Sequence, residues 1–228
     1  MKVSVVIPVF NERTTIAEVI RRVQALPIDK EILVVDDGSL DGTRDVLSSF
    51  DGVEGVRILQ TLVNGGKGAA VRMGFSQASG DIVVIQDADL ELDPTCLPAL
   101  CAPLERGEAD AVLGSRFLNG RRGPLLSYLA NRSLTGLTNA LYGSRLTDME
   151  TCYKAIRADI IPTLGLRARR FEIEPEIVGA LLRGGWRVAE LPVSYSPRDR
   201  RHGKKLRYRD GLAAAVTLFR GRFFHHSG

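Results

Sequence analysis

Cysteine is scarce, with three in 228 residues. Cys96, Cys101 and Cys152 make an odd number, without CxxC spacing or a neighbouring histidine, so neither a disulfide framework nor a zinc site is supported. A reducing, cytoplasmic setting is the expectation. Long apolar runs are also missing: no stretch approaches the roughly 20 residues of a membrane span, which leaves only peripheral contact with a bilayer. The apolar start is cut off by Pro8 and by Asn11-Glu12, too early for a secretory leader. No linker and no repeat divides the chain, so residues 1–228 are expected to form a single domain. With 44% hydrophobic and 25% charged residues it can bury a sizeable core. A net charge of +4 points to anionic partners, which could be nucleic acid, phosphorylated small molecules or an acidic membrane surface.

The β-branched run of residues 3–9 reads as a strand buried on both faces. Ile16, Val19, Ile20 and Val23 then repeat at helical spacing, with Thr15 and Glu18 as a capping box and Pro27 beyond the end. Strands are predicted at 31–35, 56–59 and 82–85, with a helix over 67–78 and Asp41 capping another. This alternation gives an α/β fold built on an open, mostly parallel sheet flanked by helices. The second half is less regular, with strands at 111–114 and 188–193 and helices near 125–141 and 174–183. A last helix carries Leu212, Val216, Phe219 and Phe223 on one face and Arg209, Arg220 and Arg222 elsewhere; it could lie on a membrane or pack on the domain.

Ligands of open α/β sheets sit beyond the carboxyl ends of the strands, where Asn11-Glu12, Asp36-Asp37 and Asp87-Ala88-Asp89 all fall. After the strand at 82–85, Asp87, Asp89 and Glu91 alternate without a basic neighbour in sequence. On extended backbone such carboxylates point the same way and could offer oxygens to one Mg²⁺ or Mn²⁺ bridging a diphosphate; the alternative is a solvated acidic loop. Asp36-Asp37-Gly38-Ser39 suits either a turn and helix cap or contacts to a base and ribose. Asn64-Gly65-Gly66-Lys67-Gly68 lacks the spacing of a Walker phosphate loop and reads as a turn that carries Lys67 toward the site. Between Arg198 and Arg209 there are seven Lys or Arg residues and one Asp, dense enough to grip phosphate or anionic lipid. Nucleic acid is a poor partner for this run, because only Tyr195 and Tyr208 lie near it as stacking aromatics.

Several segments, in this order, resemble family 2 glycosyltransferases of the GT-A fold, particularly polyprenyl-phosphate sugar synthases of the dolichyl-phosphate mannose synthase type. They are VSVVIPVFNE (3–12), VVDDGSLDGT (34–43), NGGKGAAVRMG (64–74), QDADLELDP (86–94), GSR (114–116), TDMETCYK (147–154) and PVSYSPRDRRHGKK (192–205). The resemblance implies a nucleotide-binding half (1–90), an acceptor half (91–205) and an amphipathic C-terminal helix (206–224). It implies that Pro8, Phe10, Glu12, Val35, Asp37, Gly38 and Ala88 hold the nucleoside end of a nucleoside-diphosphate sugar, with Lys67 near its phosphates. Mg²⁺ or Mn²⁺ would sit around Asp87, Asp89 and Glu91, where relatives often have glutamine at the third position. Arg116, Arg132 and Ser133 look like contacts to an acceptor phosphate, and Arg198 and Lys204 resemble a basic loop over the donor diphosphate. A polyprenyl phosphate acceptor would be reached from outside the membrane, at its cytoplasmic face.

An anionic phosphate acceptor needs alignment and neutralisation more than a base, and in-line attack predicts inversion at the anomeric carbon. A hydroxyl acceptor would need a base, for which Asp148 is the candidate. A nucleotidyltransferase is disfavoured by the missing glycine-rich loop after the first strand. A non-catalytic nucleotide-sugar-binding module is disfavoured by the intact carboxylates.

Overall fold

The computed structural model describes residues 1–120, 124–197 and 208–224. Arg198 and Lys204, with the rest of the basic run before residue 208, lie outside the described residues. Seven strands form one sheet: β1 (Val3–Val9), β2 (Lys30–Asp36), β3 (Val56–Gln60), β4 (Ile82–Ile85), β5 (Ala111–Ser115), β6 (Lys154–Arg157) and β7 (Val188–Pro192). Their spatial order is β3-β2-β1-β4-β6-β5-β7, and every pairing is parallel except those of β6 with β4 and β5. β1 is the most enclosed strand. All seven of its residues are buried, as a Val/Ile run covered on both faces requires.

Pro8 is tolerated in this strand because of where β4 stops. Val6 O accepts from Gln86 N and Val9 O accepts from Asp37 N, so position 8 faces the β4 side one step beyond the last β4 residue. No ladder donor is lost there.

Helices α1 (Ile16–Gln24), α2 (Thr43–Ser48), α3 (Lys67–Gln77), α4 (Leu97–Glu105), α5 (Leu125–Tyr142), α6 (Ile173–Arg183) and α7 (Tyr208–Phe223) flank the sheet. The expected capping box at α1 does not form. The Thr15 hydroxyl donates to Ala88 O at 2.7 Å, and Glu18 pairs with Arg22. Asp41 does accept from Thr43 N at 3.0 Å at the start of α2, across Gly42 at φ +92°.

Strand β6 and helix α4 are not visible as patterns in the sequence. On α7, Ala214 and Leu218 are buried against the domain, whereas Leu212, Val216, Phe219 and Phe223 face outward. Their packing on the domain, one of the two expectations, is thereby excluded. Among the described residues no helix is long and apolar enough to cross a membrane.

Candidate active site

The central strands β2, β1 and β4 are neighbours, so their carboxyl ends bring Asp36-Asp37, Asn11-Glu12 and Asp87-Ala88-Asp89 to one edge. Short hydrogen bonds tie these ends together. Asn11 N donates to Ser39 Oγ (2.9 Å), Leu40 N to Asn11 Oδ1 (2.8 Å) and Glu12 N to Thr43 Oγ1 (3.0 Å). Thr15 Oγ1 bridges from Glu12 Oε2 to Ala88 O. Asn11 takes a positive φ of 52°, which its short amide tolerates better than most side chains.

Asp36 and Asp37 have different surroundings. Asp36 is fully buried and holds Arg44 Nε at 2.6 Å and Ser39 N at 3.2 Å, an anchor for the strand end. Asp37 accepts Gly65 N at 2.8 Å and Gly66 N at 2.7 Å, one on each oxygen. Beyond Lys67, Gly68 N and Ala69 N donate to Arg170 O and Arg169 O. The amides of Gly65, Gly66 and Gly68 are therefore taken by protein oxygens, and Lys67 carries its ammonium from this turn into the site.

Lys67 Nζ lies 2.7 Å from Asp87 Oδ1 and 2.8 Å from Glu174 Oε1. The picture of carboxylates without a basic neighbour is corrected here: the partner comes from another element. Burial alone would depress Lys67, but the charges of Asp87 and Glu174 outweigh it and hold the ammonium well above its usual pKa. Burial likewise opposes ionisation of Asp87, yet Lys67 keeps that carboxyl below its usual range. Glu174, on the first turn of α6, also receives the fully buried Lys154 of β6. Neither residue was singled out from the sequence, since a lysine and a glutamate twenty positions apart carry no local signal of pairing.

The backbone after β4 is not extended. Leu90 adopts φ +62°, and Asp89 Oδ1 accepts Glu91 N at 3.0 Å. The alternation of Asp87, Asp89 and Glu91 thus fails to aim three carboxylates at one point. Glu91 instead hydrogen-bonds Tyr195, whose phenol is pushed up to about 12 by burial and by that carboxylate. Among the described residues no group of three acidic, histidine or cysteine side chains is arranged around a metal position. The arrangement fits a hard cation held by few protein oxygens and completed by water and substrate phosphate, which is how Mg²⁺ is commonly bound, and not an all-protein cage. Of the three carboxylates, Asp87 is paired with Lys67 and Glu91 hydrogen-bonds Tyr195, while Asp89 Oδ1 is turned to the Glu91 amide.

Across the Tyr195 ring lies Arg116, its guanidinium carbon 5.4 Å from the ring centre. Asp148, fully buried, grips Arg116 through Nε and Nη2 at 2.7 Å each and also accepts its backbone N–H. Burial disfavours the Arg116 charge, but the bonds to Asp148 overcome this and raise its pKa further. Glu190 of β7 holds the Asp148 segment in turn, accepting Thr147 N at 2.7 Å and Asp148 N at 3.0 Å. Arg132 Nη1 reaches Thr147 O at 2.9 Å from α5, while Ser133 is exposed. Glu150, next along, has a buried Oε1 without a hydrogen-bond partner, and burial with the nearby Glu174 charge pushes it up to about 7. A cavity of about 630 Å³ opens beside the site, between Val63-Asn64-Gly65 and residues 167–172.

The chain matches the sequence profile described as "Glycosyl transferase family 2" over residues 4–165. It is 30% identical over 209 residues to a dodecaprenyl-phosphate galacturonate synthase of Rhizobium johnstonii, covering 89% of this chain and 61% of that protein. A dolichol-phosphate mannosyltransferase of Pyrococcus furiosus is 31% identical over 214 residues, 90% of this chain and 59% of the other. The chain thus spans about three fifths of the length of these relatives. Its fold superimposes on a crystal structure of glucosyl-3-phosphoglycerate synthase from Mycobacterium tuberculosis with a TM-score of 0.74 at 24% identity, covering 100% of this chain and 82% of that one. Another crystal structure of that synthase, holding Mn²⁺, UDP and glucosyl-3-phosphoglycerate, gives 0.72 at 25% identity, again with 100% and 82% covered. The sheet order, the acidic strand ends and the profile spanning them agree, and the chain belongs to glycosyl transferase family 2, on the GT-A fold.

Proposed function

We propose that this chain transfers a hexose, with inversion, from a nucleoside-diphosphate sugar such as GDP-mannose or UDP-glucose to a polyprenyl phosphate. The observation that carries this reading is the Arg116–Asp148 pair. Both Asp148 oxygens are engaged by the guanidinium, so this part of the site offers a fixed cation where a hydroxyl acceptor would need a free base. A phosphate acceptor is ionised near neutral pH and requires only to be held against the donor's own negative charge. Arg116 with Arg132 performs that holding, and Asp148 positions Arg116.

Pro8, Phe10, Glu12, Val35, Asp37, Gly38 and Ala88 are assigned to the nucleoside from the sequence resemblance, and the cavity between Val63-Asn64-Gly65 and residues 167–170 has a volume suited to a small ligand. Lys67 faces the phosphates from the paired position beside Asp87. Asp89 would hold Mg²⁺ or Mn²⁺, which when bound offsets charge building on the leaving diphosphate. Arg198 and Lys204 are assigned to the same diphosphate from the sequence resemblance. The related proteins named for dodecaprenyl phosphate and dolichol phosphate support the acceptor class.

A second reading, transfer to a hydroxyl of a soluble acceptor, is favoured by Glu150, whose unpartnered Oε1 and raised pKa suit a proton acceptor near neutrality. Incubation with labelled sugar nucleotide and Mn²⁺, with and without polyprenyl phosphate, separates the two. The primary reading requires label to become extractable into organic solvent only when the lipid is present. Label that moves to a water-soluble product in its absence rejects it.

A further inference from the structure

The 16-residue helix α7 has two apolar sides, and the domain covers one. Ala214 and Leu218 are 3% and 1% exposed, and Tyr142 Oη donates to Leu218 O at 2.9 Å. The other side carries Leu212, Val216, Phe219 and Phe223 at spacings of four, three and four, which is one ridge about 16 Å long on the helix surface. These side chains are 70%, 40%, 47% and 63% exposed, and the Phe219 and Phe223 rings stack on each other at 6.2 Å. Four large apolar side chains in one exposed row on a short helix mark an interaction surface.

Charge indicates what covers it. Residues 198–224 contain nine Lys or Arg and two Asp, whereas the rest of the chain has 22 basic and 25 acidic residues. The whole surplus of positive charge is therefore concentrated in and just before α7. Arg220 is exposed on the helix itself, whereas Arg222, also at the surface, donates Nε to Leu141 O at 2.9 Å. A second copy of this chain would bring the same positive charge against it, which opposes self-association through this face. An anionic lipid surface satisfies both features, since apolar insertion and attraction to acidic headgroups reinforce each other.

The direction of α7 relates this face to the site. Arg183 Nη1 donates to Gly221 O at 2.7 Å, and Leu218 lies against Gly179, so α6 and α7 run the same way. Glu174 at the start of α6 contacts Lys67 in the site, which puts Leu212 at the site end of the ridge and Phe223 at the far end.

We infer that the outward face of α7 docks on an anionic bilayer through Leu212, Val216, Phe219 and Phe223, with Arg220 engaging acidic headgroups. The inference rests on the polyprenyl-phosphate reading for its purpose, since it brings the acceptor site to the surface where such a lipid resides.

The full chain is sedimented with vesicles of phosphatidylcholine alone and of phosphatidylcholine mixed with phosphatidylglycerol. Binding to the mixed vesicles and much weaker binding to the neutral ones is expected. The double variant Phe219→Ser, Phe223→Ser should bind the mixed vesicles roughly tenfold less or worse, and Phe219→Leu, Phe223→Leu should retain most of the binding. Both variants should melt like the parent, because the replaced rings are exposed. Failure of the parent to sediment with acidic vesicles overturns the inference, as does equal sedimentation of the serine variant. A concentration-dependent dimer that the serine variant dissolves, without vesicle binding, overturns it in favour of a second copy. Transfer to detergent-dispersed polyprenyl phosphate is measured alongside. If it persists while vesicle binding is absent, the acceptor reading stands and the docking falls. Vesicle binding without such transfer supports the docking and removes the acceptor reading.

Discussion

Asp148 and Glu150 lie two positions apart in the TDMETCYK segment, yet one is gripped by Arg116 and the other keeps a buried oxygen without a partner. Replacing Asp148 by Asn leaves the Arg116 charge buried and poorly held. Breaking such a pair costs on the order of 3 kcal/mol of stability. If Asp148 positions Arg116, the variant's acceptor KM rises and kcat/KM falls roughly 100-fold or more, with the pH profile unchanged in shape. Steady-state kinetics across pH test this, and loss of the acidic limb at unchanged KM would make Asp148 the base instead. Glu150 makes the opposite kind of prediction. Its folded pKa, about 7, lies above the ordinary 4.5, so the protonated carboxyl is the form that the fold favours. The associated stability is full below 4.5 and is lost as pH rises through about 7. Glu150→Gln should therefore melt like the parent in acid and be more stable at pH 8, by about 1 to 3 kcal/mol. Melting curves at both pH values check the sign.

The amino end of α3 shows how one element depends on another remote in sequence. A Cβ on Gly68 would stand 2.5 Å from Ala168 O, while the Gly68 amide donates to Arg170 O at 3.2 Å. Gly68→Ala must push α3 away from the 168–170 segment, at a cost of about 2 kcal/mol or more, and carry Lys67 off Asp87 and Glu174. A fall in melting temperature together with weaker donor binding is expected, and calorimetry of both tests it. This contact explains what could and could not be read beforehand. The strands β1, β2 and β4 were legible because burial on both faces selects continuous Val and Ile, and their acidic ends marked the site edge. Strand β6 was not legible because it opens on Lys154, a lysine kept inside by Glu174. Prolines at 98 and 103 obscured α4. Thr15 and Glu18 have capping-box spacing, but the hydroxyl is taken by Ala88 O, a tertiary partner that no local pattern announces. The positive φ of Leu90 likewise defeats the inference from alternating carboxylates, since it depends on how the chain turns after β4.

At the scale of the whole molecule, a donor bound as proposed would touch elements far apart in sequence: the ends of β1, β2 and β4, the start of α3 and the Tyr195 segment. A ligand that binds only this assembled state stabilises all of it, by about 2.7 kcal/mol at a concentration one hundred times its Kd. For a domain of this size that corresponds to a rise in melting temperature of roughly 5 to 10 °C. A panel of sugar nucleotides with Mn²⁺ should therefore single out the true donor by its shift, with GDP-mannose and UDP-glucose leading. The increment added by Mn²⁺ should vanish in Asp89→Ala. That variant should nonetheless melt near the parent temperature without ligand, because Asp89 is only half-buried in a turn at the sheet edge. Asp87→Ala should behave differently. It strands Lys67 with Glu174 alone, so it should lower the ligand-free melting temperature as well as the donor shift. A Mn²⁺ increment that survives in Asp89→Ala but disappears in Asp87→Ala would move the metal onto Asp87, and would require Lys67 to leave it when the donor binds.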